Sequence, residues 1–230
     1  MVSIMKRTLT LIWAVLLCLA EARGDSVTVG LPFSNNNAFP FGGGVGGVAT
    51  RYQQAYSASD FSGIGTSFTI NSIDFLNGRG TLAPSTYTLY FSTITSGIDS
   101  LSNSDFDSNR GADNALFASA TLSGAAPATL TFSGVPFAYN PASGNLLLDI
   151  VVSPGGVDAN NGFGASYEAN TNAPGVFSRY HNFGLGNIGW GLVTEFNYTP
   201  IPEPAIPTLI FLAVGLTAFL ARARNVFPLR

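Results

Sequence analysis

The side chains that ordinarily carry covalent or acid–base catalysis are scarce in this chain. His181 is the only histidine among 230 residues, and the only cysteine, Cys18, lies inside an apolar N-terminal run. No serine occupies the centre of a Gly-x-Ser-x-Gly elbow, the turn that exposes a nucleophile above a sheet. Cys18 would be lost with that run on export, so neither a Cys–His–carboxylate triad nor a metal site built on several imidazoles is expected. Carboxylates remain: eleven Asp or Glu residues lie between positions 23 and 199, and two of them flanking a glycosidic bond would suffice for hydrolysis. Their spacing singles out no pair, so the sequence predicts no catalytic residue.

Two other groups of residues point to binding. In 105–113, Asp105, Asp107, Asn109 and Asp113 set oxygen-bearing side chains on one turn, where they can converge on a hard cation such as Ca2+. The first three positions resemble the start of an EF-hand loop, but Arg110 stands where that loop has Gly and Leu116 where its bidentate Glu belongs. An ordinary Asx-rich turn is the plainer reading, with Ca2+ as the alternative. The stretch 160–190 gathers Tyr167, Tyr180, His181, Phe183 and Trp190 among Asn and Gly. Tyr167, Tyr180 and Trp190 suit stacking on sugar faces while amides reach hydroxyls; the competing reading is that these rings fill the core. Two glycine runs, 42–47 and 184–189, match G-x-G-x-x-G, yet neither follows a convincing buried strand and opens a helix, as dinucleotide binding requires.

The elements that must position these residues are strands. Hydrophobic residues make up 46% of the chain and charged ones 10%, with 18 Phe and 8 Tyr, a balance that favours sheets over helices. Runs of β-branched and aromatic residues occur at 67–76, 85–94, 116–122, 128–135, 145–153 and 191–198, separated by Gly, Asn, Ser and Pro. Period two is plain where Tyr87, Leu89 and Phe91 alternate with Thr86, Thr88 and Tyr90, and where Leu192, Thr194, Phe196 and Tyr198 alternate with Val193, Glu195 and Asn197. Residues 146–152 are apolar on both faces except at Asp149, the pattern of a central strand. The sequence therefore predicts an all-β, antiparallel β-sandwich, jelly-roll-like, over residues 23–199. Five arginines and no lysine oppose the eleven carboxylates of this region, so nucleic acid is excluded as a partner on charge.

Both ends carry targeting signals. Lys6 and Arg7 precede the apolar stretch 9–19, and Ala20-Glu21-Ala22 offers small residues at the spacing a signal peptidase accepts, so residues 1–22 read as a cleaved signal peptide. Residues 205–221 form a second uncharged apolar run, long enough to cross a bilayer as a helix, and Arg222 and Arg224 begin a basic tail at 222–230. Basic residues after a span favour the cytoplasmic side, which leaves the β-domain outside. Residues 200–204 form a Pro-rich spacer in which Pro202 and Pro204 hold Glu203 extended at the membrane surface.

The arrangement Pro202-Glu203-Pro204, then an apolar helix, then Arg222 and Arg224, resembles the PEP-CTERM sorting signal of Gram-negative bacteria. The resemblance covers residues 202–224 and implies an exosortase-type membrane peptidase as partner. It also implies a precursor anchored in the inner membrane, facing the periplasm and passing to the cell surface or extracellular matrix. The expected function is that of a non-catalytic surface or matrix protein. The alternative is a carbohydrate-binding module or weak glycosidase acting on extracellular polysaccharide.

Overall fold

Strands with period two bury one face and leave the other for solvent or a second layer. The computed structural model, in which residues 24–31, 35–42, 50–65, 67–153, 164–182 and 187–201 are described, turns each of the six runs above into strand, the last broken at Val193. In chain order the strands are β1 (Asp25–Val29), β2 (Asn35–Asn37), β3 (Arg51–Tyr56), β4 (Phe68–Leu76), β5 (Thr81–Ile94), β6 (Ala115–Ala125) and β7 (Thr129–Tyr139). They continue as β8 (Asn145–Val152), β9 (Tyr167–Asn170), β10 (Phe177–His181), β11 (Asn187–Ile188), β12 (Gly191–Leu192) and β13 (Thr194–Pro200). Helical structure among the described residues is confined to 3-10 turns at Ala58–Ile64, Ile98–Ser100, Asp107–Asn109 and Pro141–Ser143. The fold is all-β, and its strand pairs are antiparallel.

Three sheets result, with strand orders β1-β13-β4-β7, β11-β10-β3-β8-β5-β6 and β12-β9-β2. The alternation in β5 decides which of its residues face inward: Tyr87, Leu89 and Phe91 are fully buried, and Thr86, Thr88 and Tyr90 half-buried. Strand β8 lies between β3 and β5, as its two apolar faces imply. The two larger sheets share one aromatic core. Phe196 of β13 packs edge-on to Tyr56 of β3 at 5.0 Å between ring centroids and lies 6.3 Å from Phe91 of β5. Phe61, on the first 3-10 turn, fills the space between Phe68, Tyr139 and Phe196 at 5.2 to 5.7 Å. Pro136 sits in β7, an edge strand where a missing amide proton costs no ladder bond.

The outer face of the six-stranded sheet is not left to solvent. Residues 95–114, the connection from β5 to β6, lie across it as a strap. Ile98 and Leu101 from the strap join Ala55, Ile94, Leu147 and Tyr180 in a second, smaller apolar cluster, with Phe106 packed against it. That covering explains why β8 is buried on both sides.

The chain divides into two compact units, residues 1–200 and 201–230; Ile201 is the described residue of the second. Thr199 and Pro200, placed in or beside the spacer by sequence, pair with Thr69 and Phe68 as the end of β13. Among the described residues no helix is long and apolar enough to cross a membrane. The signal peptide, residues 1–22, and the span, 205–221, fall outside the described residues.

Candidate functional site

The chemistry beneath the strap centres on Asp149, the one polar interruption of β8. Its carboxylate is almost fully buried, and three guanidinium N–H groups satisfy it. Arg51 Nε and Nη2 donate to Oδ1 and Oδ2 at 2.5 and 2.7 Å, and Arg110 Nε donates to Oδ2 at 2.6 Å. Arg51 comes from β3, the neighbouring strand, and Arg110 from the strap, so the carboxylate ties sheet to strap. Asp107 closes the network from the solvent side, its Oδ1 lying 2.9 Å from Arg51 Nη2 and 3.2 Å from Arg110 Nη1. Both cations also lie over rings, Arg51 above Phe106 at 5.8 Å and Arg110 above Tyr90 at 4.9 Å. Burial opposes the Arg51 charge, but the hydrogen bonds and fields of Asp149 and Asp107 prevail and raise its pKa. The bond from Arg51, with the fields of both guanidiniums, holds the Asp107 carboxyl below the usual range.

The side chains of 105–113 that could have converged on a cation are each engaged separately. Asp105 Oδ1 accepts from the Ser108 amide at 3.2 Å, and Asp113 Oδ1 accepts from the Thr93 amide at 2.7 Å. Asn109 is buried: its Oδ1 accepts from the Ser102 amide, and its Nδ2 donates to Gln53 Oε1 and the Ser102 carbonyl at 2.8 Å each. Asp107 serves the arginines. Four candidate ligands thus have four separate tasks, and among the described residues no group of three or more His, Cys, Asp or Glu stands placed for a metal ion. The cations that the segment gathers are guanidinium groups, and Arg110, standing in the place of the EF-hand glycine, supplies one of them.

The aromatic stretch also divides. Tyr167 is fully buried, its ring 5.2 Å from Phe41 and 6.4 Å from Phe75, which leaves no face for a sugar. Burial pushes its hydroxyl up to about 12. Tyr180 is 6% exposed, packs in the cluster under the strap, and donates its hydroxyl to the Asp99 carbonyl at 3.3 Å. Both are core residues rather than a sugar platform, because the alternation of β9 and β10 faces each ring into a covered layer. Trp190 differs: it is 37% exposed, and the Arg179 guanidinium carbon lies 5.0 Å from its ring. His181 stacks on Phe39 at 4.3 Å between centroids, and burial with the Arg179 charge pushes its imidazole down to about 4.

Comparison with protein-family models, with curated proteins and with solved structures finds no match to this chain. The functional reading therefore rests on its own residues. Pro202, Glu203, Pro204, Arg222 and Arg224 lie outside the described residues. Where the start of β1 runs beside the end of β13 a cleft of about 310 Å³ opens, lined by Gly24, Asp25, Ser26, Asn71, Asn197 and Tyr198. Two residues that matter escape a reading by motif. Asp149 carries a signal, a lone carboxylate in a doubly apolar run. Arg179 carries none, because nothing in its neighbours announces a buried cation.

Proposed function

We propose that this chain is a non-catalytic exported surface or matrix protein whose β-domain is delivered by a signal peptide and sorted by its C-terminal tail. The observation that carries the reading is the succession of Pro202-Glu203-Pro204, the uncharged run 205–221 and the basic pair Arg222 and Arg224, starting two residues after β13 ends. An extended peptide between two prolines is what a membrane peptidase can grip, while the apolar run and the arginines set its depth and orientation.

The domain is proposed to be a jelly-roll sandwich. Its support is the strand order: β1-β13-β4-β7 in one sheet and β3-β8-β5-β6 in the other, with the chain crossing between sheets from β3 to β4, β4 to β5, β6 to β7 and β7 to β8, β5 and β6 pairing as a hairpin, and β9 to β12 inserted before the last. In this arrangement Asp25 pairs with Tyr198, so the chain enters and leaves the domain at one place.

Mass spectrometry of both termini of the mature protein, in a host that has the sorting enzyme, tests the reading. A chain beginning at Arg23 and ending near Glu203 is expected. Retention of residues 1–22 contradicts export, and retention of 205–230 leaves the tail as a plain anchor. The second reading, a carbohydrate-binding module on the same export route, is favoured by one observation, the half-exposed Trp190 beside Arg179.

A further inference from the structure

An arginine taken out of water without an anion is unfavourable by several kcal/mol, and natural folds almost always give such a group a carboxylate. Arg51 and Arg110 obey this rule through Asp149 and Asp107. Arg179 does not. It sits in β10 between Gln54 of β3 and Asn187 of β11 and is 5% exposed. Its Nε is buried without a hydrogen-bond partner, and among the described residues no carboxylate forms an ion pair with it. The titratable groups that feel its charge are Tyr52 and His181; burial raises the first to about 12 and lowers the second to about 4, so both are neutral at neutral pH. Burial lowers the pKa of Arg179 itself, the direction expected of an uncompensated cation.

What lies over the guanidinium narrows the ligand. The Trp190 ring stacks on it at 5.0 Å and is itself 37% exposed, and Ile188, two residues earlier, is 56% exposed. A guanidinium without a carboxylate partner, its Nε unsatisfied, beside a partly exposed apolar ring fits a ligand with a carboxylate at one end and a C–H face beside it. A uronic acid has both; inorganic phosphate lacks the apolar face, and a neutral hexose lacks the charge.

We propose that Arg179, roofed by Trp190, anchors the carboxylate of a uronic-acid residue in an acidic extracellular polysaccharide. The inference deepens the surface-protein reading, on which it rests for the place where such a polymer is met. It assigns no bond-making step to the site.

The sequence contains two tryptophans, Trp13 and Trp190, so in the full chain carrying Trp13→Phe the indole fluorescence reports Trp190 alone. Titration of that protein in detergent with oligogalacturonate is expected to give a saturable change in emission, and dextran oligomers of the same length are expected to give none. Arg179→Gln should weaken the response at least tenfold and Arg179→Lys less, because lysine keeps the charge but loses the fork. Arg179→Met should keep or raise the melting temperature without sugar, since it removes an uncompensated buried charge, and should abolish the rise that oligogalacturonate produces in the parent. A parent that ignores oligogalacturonate, with Arg179→Met melting lower, would make Arg179 a packing residue and overturn the proposal. Polyglutamate binding as tightly as oligogalacturonate would overturn the sugar assignment. Export and tail removal of Arg179→Gln should match the parent, so failure here leaves the sorting reading standing, and failure of sorting leaves the titration intact.

Discussion

Removing the Asp149 carboxylate would leave two guanidinium groups facing each other in a covered layer. Breaking one side of a buried ion pair costs about 3 kcal/mol or more, because the surviving charge loses its partner without regaining water. Asp149→Ala should therefore lower the unfolding free energy measured in urea by about that amount, whereas Asp107→Ala, at the exposed rim, should change it little. Added Ca2+ or a chelator should leave the melting temperature of the parent unchanged, since the candidate ligands are committed elsewhere. A calcium-dependent rise that disappears in Asp107→Ala would contradict that. Asp60 works against stability at neutral pH: its Oδ2 is buried without a partner, and burial raises its pKa from 3.8 to about 6. A folded pKa above the unfolded one means that its contribution is fully present below about pH 3.8 and is lost as pH rises through about 6. Asp60→Asn should thus stabilise the protein at pH 7 by on the order of 1 kcal/mol after solvent screening. The gain should vanish in melts below pH 4.

At the scale of elements, β4, β5 and β7 were legible because their residues alternate between core and surroundings, and β8 because its continuous apolar run announces a strand covered on both faces. Strand β3, Arg51–Tyr56, was not. Its Gln53 and Gln54 interrupt any apolar pattern, yet both are fully buried, Gln53 donating to the Phe106 carbonyl and Gln54 to the Leu192 carbonyl. Strands β9 and β10 are buried on both faces as well and include Glu168, Asn170 and Arg179, polar residues that hide the pattern. The strap escaped for the opposite reason: Ile98, Leu101 and Phe106 are spaced singly, and only the sheet they cover makes them a cluster. Gly134 marks where β7 passes closest to β6, since a Cβ there would stand 1.8 Å from the Phe117 carbonyl oxygen. Gly134→Ala should cost roughly 2 kcal/mol in chemical denaturation through this overpacking. Gly63→Ala, where a Cβ meets nothing, is the control.

For the whole molecule, the domain supplies an all-β body, and the tail is proposed to supply an address. The body was predictable as all-β from its patterning, whereas Arg179 and the network at Asp149 became visible only once strands distant in sequence were adjacent. The address is a claim about Glu203. Replacing Glu203, which stands between Pro202 and Pro204 in the sequence, alters neither the apolar run nor Arg222 and Arg224, so insertion and orientation should be unaffected. The most direct test is membrane fractionation of Glu203→Ala carrying a tag before Pro200, in a host with the sorting enzyme. The account predicts that unprocessed protein accumulates in the membrane while the parent is released; processing and release of Glu203→Ala at the parent's rate would contradict it.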